Sequence, residues 1–244
     1  MTSIAGPFPC SEVHRVFVTH KPQNQDLIER LDPGFWRPEY DRVLAQCRVP
    51  LTPLGPYIAH ITYGAIVTGR ELPLDPDGPF MIGQGALRHS GVDLSDCPRV
   101  APDSPWVLER TAVQEGDLLI ARSGAGSLEK NRLAVYHASN SAVVDCWVDI
   151  VRLQGIAPDF VAAFLKTRFG WAQIHRLING VGPANLSFDE IRSLRVPAAD
   201  EALQREIAER YYDEVAPLHA AGEYSAALDE MRRIVRDLEA RLSR

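Results

Sequence analysis

The sequence predicts an α+β fold: one mixed domain that hands over to a helical C-terminal segment. Three observations carry this expectation. Short β-branched or alternating runs, bounded by Gly, Pro and Asp, recur up to Leu153, as small strands and turns do. From Pro158 the spacing turns helical, with Phe160, Phe164, Leu165, Phe169, Ala172 and Leu177 on one side. Beyond Pro197 the strand signals stop, and residues 200–244 carry eleven acidic side chains and seven arginines.

The elements follow in order. Val13–Thr19 is a short strand-like run among Pro7, Pro9 and Pro22, and Asp26–Leu31 reads as a helical turn. Pro38 suits the first position of a helix over Glu39–Cys47, because its missing N–H is unpaired there in any case. Strands are expected near Ile58–Thr68, within Phe80–Leu87 and at Val92–Leu94. A stronger one covers Val113–Arg122, with Glu115-Gly-Asp as a turn, and strands resume at Leu133–His137 and Val143–Leu153. Pro158–Ile178 is helical. Asn179–Pro197 reads as a glycine turn, a short helix opened by Ser187, and a strand that stops at Pro197. Ser187 and Glu190 have the spacing of a capping box, and Leu186 with Ile191 that of a hydrophobic staple. In the last segment Leu203, Ile207, Tyr211, Val215 and Leu218 fall at helical steps, and a break is expected at Pro217–Gly222. Leu228, Met231, Val235, Leu238 and Leu242 then form a heptad seam. Such a seam serves equally an amphipathic helix lying on its own domain and a coiled coil with a partner.

The totals exclude several classes. At 244 residues the chain fits one large domain, or one domain with an appendage, and 45% hydrophobic with 24% charged residues is ordinary for a globular protein. No apolar run is long enough for a membrane span. Met1–Pro9 has neither the basic start nor the long apolar core of a signal peptide, so the cytoplasm is the expected location. Cys10, Cys47, Cys97 and Cys146 form no CxxC pair, which speaks against a zinc knuckle or disulfide scaffold. The histidines show no metal-ligand spacing, and no metal is expected. The net charge of −6 leaves any nucleic-acid role to a local basic patch.

Catalytic patterns are missing as well. Gly83-Gln-Gly and Gly124-Ala-Gly are isolated glycine pairs without the strand and helix of a phosphate-binding loop. Asp32-Pro-Gly-Phe lacks the second proline of base-methylating enzymes. Asp145 and Asp149 share a face of a strand without the Glu-x-Lys element of a nuclease. Ser123 does not sit in a nucleophile elbow. No catalytic residue, cofactor site or enzyme activity is expected of this chain.

Several segments, in order, resemble the target-recognition domain of type I restriction–modification specificity subunits. They are Arg30–Tyr40, Leu54-Gly-Pro-Tyr-Ile with Thr62-Tyr-Gly, Phe80–Leu87, Gly116-Asp-Leu-Leu-Ile-Ala-Arg-Ser-Gly, Pro158–Leu165, Asn179–Pro197 and Leu203-Gln-Arg-Glu-Ile. The resemblance covers residues 27–220. It implies a mixed α/β target-recognition domain over 1–199 and a coiled-coil-like spacer over 200–244. A full specificity subunit has two of each; this chain carries one, which implies a half-subunit pairing with itself or with a second half.

The implied role is reading a double-stranded DNA half-site for a separate adenine-N6 methyltransferase and a translocase-nuclease, with adenosylmethionine bound by the partner. Base reading needs polar side chains on loops. The candidates are Arg70, Gln84, Arg88, His89, Arg122, Ser123, Lys130, Asn131 and Arg132, foremost the cations of the Arg122–Arg132 loop. Lys166, Arg168 and Arg176 are candidates for phosphate contacts, and Asn185 for a base contact at the edge of its loop. The heptad seam Leu228, Met231, Val235, Leu238 and Leu242 is the candidate partner interface. The rival expectation is a scaffold of the same fold that binds a defence-system partner through its C-terminal helices without reading DNA.

Overall fold

A computed structural model of the chain describes residues 35–68, 71–123, 130–178, 185–198 and 201–243. Helix α1 (Pro38–Leu44) opens on Pro38, as expected, and leads to β1 (Leu51–Pro53) and β2 (Ile58–Tyr63). Next come β3 (Phe80–Ile82), β4 (Leu87–Arg88), β5 (Gly91–Val92), β6 (Leu118–Ala121), β7 (Leu133–Val135), β8 (Ala142–Val144) and β9 (Val148–Leu153). Helices α2 (Pro158–Lys166), α3 (Arg168–Leu177) and α4 (Phe188–Ser193) precede β10 (Arg195–Pro197). The chain finishes with α5 (Glu201–Arg210), a π-helical turn (Tyr211–Val215), α6 (Ala216–Ala220) and α7 (Tyr224–Leu242).

The centre is an antiparallel four-stranded sheet in the order β2-β9-β6-β7. Alternation along its strands divides two cores. Leu118, Ile120, Leu133, Val135 and Val151 join the core shared with the helices. Leu119, Ala121, Tyr136, Val148 and Ile150 join a second core with Ile82 of β3 and Val144 of β8, a parallel pair. The expected run Val143–Leu153 is split into β8 and β9 because the Asp145 carboxylate accepts the N–H of Trp147 (2.8 Å) and forms a turn.

Pro158–Ile178 is two helices rather than one. Thr167 separates them: its hydroxyl donates to Phe164 O (2.6 Å) and accepts the N–H of Gly170 (3.3 Å), capping α3. The capping box of α4 is formed, with the Ser187 N–H donating to Glu190 Oε2 (2.7 Å) and the Glu190 N–H to Ser187 Oγ (3.2 Å). Leu186 and Ile191, the expected staple, are both buried in the helix-side core. β10 then pairs antiparallel with β1.

The C-terminal segment is an antiparallel hairpin. The helix runs through Pro217, which stands at the start of α6 just after the π turn has shifted the hydrogen-bond register. The break comes at Gly222, whose φ of +75° belongs to the left-handed region. Ion pairs Glu206–Arg241 (2.6 Å), Arg210–Asp237 (3.1 Å) and Glu214–Arg233 (2.9 Å) rung the two arms together. Here the expected partner interface is corrected. Met231, Val235, Leu238 and Leu242 are buried in the chain's own core, with Leu228 half-buried, and Ala227 and Ile234 widen the stripe. A heptad seam and a broad amphipathic face look alike over so short a span, and these residues are spent on their own domain. Described residues on both sides of 199, such as Val196 and Ile207, thus share one core. Among the described residues no helix is long and apolar enough to cross a membrane.

Candidate nucleic-acid interface

Strand register brings distant residues to one end of the sheet. Asp149 stands opposite both Tyr63 and Ile120, and Ala121 opposite Val148. The ends of β2 and β6 and the starts of β7 and β9 thus meet there, with Arg122, Arg132 and Trp147 one residue beyond them. Gly64 permits this closeness: a Cβ on it would lie 2.0 Å from Val144 O.

Arg122 is the hub. Its guanidinium lies 4.0 Å from the Tyr63 ring centroid and 5.5 Å from that of Phe188, and it donates to Asp149 Oδ1 (3.3 Å). Its backbone N–H donates to Trp147 O (2.8 Å), while its carbonyl accepts the Leu186 N–H (3.3 Å). The buried Ser123 forms a β-bridge with Asn185, tying that residue to the same end. Arg132 donates to the Gln84 carbonyl (3.0 Å), and Lys130 is exposed. Arg110 donates to Thr62 Oγ1 (2.9 Å) and to the Tyr63 carbonyl, and its guanidinium lies 5.5 Å from the Tyr63 ring centroid.

The carboxylates here are held above the ordinary carboxylate range. Burial pushes the Asp149 carboxyl up to about 7, with Arg122 pulling the other way, and burial raises Asp145 to about 6 against the pull of the Trp147 N–H. Near neutral pH the cations of this end therefore outweigh its acids. That is the local basic patch which an overall charge of −6 leaves room for.

Of the expected reading residues, Gln84, Arg122, Ser123, Lys130 and Arg132 gather at this end. Arg70 lies outside the described residues. Asn131 sits in the left-handed region (φ 51°) and donates to Leu165 O (2.9 Å), so its amide holds the end of α2 instead of facing a duplex. Arg88 and His89 lie elsewhere, on the β4–β5 hairpin against the C-terminal helices. Arg88 pairs with Asp93 (3.0 Å) and lies 5.7 Å from the Tyr224 ring centroid. His89 is driven down to about 3, by burial first and then by Lys166 and Arg232. The phosphate candidates are likewise committed. Arg168 pairs with Glu239 (3.2 Å) and Arg176 with Asp41 (2.7 Å), while burial lowers Lys166 to about 7. Tyr63, Arg110, Trp147 and Phe188 were not among the expected residues. No local pattern marks them, because tertiary pairing alone brings them together.

A second feature is a cleft of about 470 Å³ where the β4–β5 hairpin meets the π turn. Its polar groups bond to the junction itself. Tyr212 Oη contacts His137 Nδ1 (2.9 Å), and His137 Nε2 contacts Asp159 (2.8 Å). Tyr211 Oη donates to Ser90 O (2.9 Å), and Tyr224 Oη to Asp93 (2.8 Å). Among the described residues no group of three or more His, Cys, Asp or Glu side chains is placed to hold a metal ion.

No family model and no curated protein matches the sequence. Solved structures do. A chain from a structure concerned with complex assembly and conformational transition of the type I R-M system aligns over 96% of this chain and 56% of its own, at TM-score 0.50 and 12% identity. The type IIG restriction endonuclease BpuSI aligns over 92% of this chain and 36% of its own, at TM-score 0.50 and 9% identity. The HsdS subunit from Thermoanaerobacter tengcongensis aligns over 84% and 48%, at TM-score 0.48 and 15% identity. The first two likenesses show a shared fold. This chain spans about half or less of the length of the chains it matches. The α+β domain with a helical C-terminal segment is thus the fold that the target-recognition resemblance implied.

Proposed function

From this shared fold we propose that the chain is a DNA-reading specificity component of a restriction–modification system, docking a separate adenine-N6 methyltransferase. One observation carries the reading. Arg110, Arg122, Lys130 and Arg132 collect at a single end of the central sheet, in a chain whose overall charge is negative. Arg110 and Arg132 direct their N–H groups to uncharged oxygens, which leaves their charge available to phosphates. Gln84 contributes to this end through its backbone carbonyl, which orients Arg132. Fold likeness adds an argument by analogy. The chain itself would be non-catalytic, with adenosylmethionine held by the methyltransferase and cleavage left to a translocase-nuclease. The same analogy supports pairing with a second recognition domain, through a surface other than the buried stripe of α7.

The test is selection from a random duplex pool by the purified chain, alone and with a cognate adenine-N6 methyltransferase, followed by mapping of methylated adenines. Enrichment of one sequence, and methylation confined to it, is the expected result. A methyltransferase that binds the chain but gains no sequence preference would end this reading and leave a scaffold.

A further inference from the structure

We infer that Trp147, flanked by Ile66, is a base-stacking wedge that the sheet end presents to the duplex. This rests on the DNA-reading function proposed above and names its apolar contact. Trp147 is 51% and Ile66 66% exposed, and both are among the few large apolar side chains left in solvent. They are neighbours through the backbone, since Ala65 bridges Asp145 and the Gly64 N–H donates to Asp145 O (3.2 Å).

The turn that carries the indole is braced on both sides. Trp147 donates its N–H to Asp145 Oδ1 (2.8 Å), its carbonyl accepts the Arg122 N–H (2.8 Å), and the Val148 N–H returns to Asp145 O (3.2 Å). A large ring held outward on a fixed backbone loses little conformational freedom on binding. Its surroundings say what it meets. Arg122 adjoins it, and Arg110, Lys130 and Arg132 share the same end of the sheet. A flat apolar side chain at a sheet end that also carries four cations fits a polyanion that offers flat apolar faces, which is a nucleic acid. Apolar side chains inserted at a base step, with arginines on the flanking phosphates, are a known way of gripping and bending a duplex.

The experiment titrates the duplex most enriched from the pool into the full chain, with the methyltransferase present if binding needs it. Wild type is compared with Trp147→Ala, Trp147→Phe and Ile66→Ala. Trp147→Ala is expected to weaken binding about tenfold, the scale of one lost base–aromatic stack, without changing the salt dependence. Trp147→Phe should restore most of the loss. Wild type should show an indole that DNA shields from acrylamide, a signal absent from Trp147→Phe. Affinity of Trp147→Ala within about twofold of wild type overturns the wedge while leaving the DNA-reading function standing. Unchanged DNA binding with loss of the methyltransferase instead makes Trp147 a protein contact and also overturns it. A wild-type chain that enriches no duplex overturns both.

Discussion

Asp149 shows how one buried side chain couples the candidate interface to pH. Fully buried, and answered by the Arg122 guanidinium at only one oxygen, it keeps its proton up to about 7 in the folded chain. Below the ordinary carboxylate range both folded and unfolded chains hold the proton, and the residue contributes nothing to pH dependence. As pH rises from about 4 to 7 the unfolded chain releases it first, so folding becomes less favourable across that window. Asp149→Asn removes the effect. Its stability relative to wild type should rise between pH 4.5 and 8 by on the order of 2 kcal/mol, read from urea unfolding at both ends. His89, held low, acts in the opposite direction but is common to both proteins and cancels in the difference. A difference that does not move with pH would refute this account. The sequence offered Asp145 and Asp149 as two carboxylates on one strand face. It could not show that a turn at Asp145 separates them or that burial keeps them partly neutral.

At the scale of elements, local signals were legible where the determining contacts are local. Pro38 opens its helix, Ser187 and Glu190 close their box, and Leu118–Ala121 lies within the strand expected over Val113–Arg122. The seat of the β4–β5 hairpin against the C-terminal helices has no local signal, because what holds it lies far along the chain: the Tyr211 hydroxyl that donates to Ser90 O is 121 residues away. The α7 stripe was ambiguous for a physical reason, since helical period records that a face is buried but not by whom. Its intramolecular burial makes a prediction. Leu238→Ala should cost about 2–5 kcal/mol in thermal or urea unfolding, independent of protein concentration. Glu206→Ala, which removes a rung of the exposed ladder, should cost less than about 1 kcal/mol. A Leu238→Ala defect that disappears as the protein is concentrated would return the stripe to a partner.

For the whole molecule the distribution of charge matters more than its sum. On the proposed reading, a chain of net charge −6 that sets Arg110, Arg122, Lys130 and Arg132 at one end of its sheet would accept a duplex there and repel it from its acidic surfaces. Binding should weaken steeply with salt. Arg110→Ala, Lys130→Ala and Arg132→Ala should each flatten the log–log salt slope by about 1, whereas Arg88→Ala, whose partner is Asp93, should leave it unchanged. Equal effects from Arg88 and Lys130 would place the DNA somewhere other than the sheet end.

The helical hairpin is fastened twice. At its tip Tyr224 and His219 hold Asp93 and the Val92 carbonyl; at its foot Glu239 holds Arg168, and the Leu242 carbonyl accepts the Arg48 N–H. Mechanically this is a shaft keyed at both ends rather than a flag on a hinge. Torque applied to its outer face turns the sheet with it, so on the proposed reading whatever grips the helices would also set the angle at which the indole meets a groove.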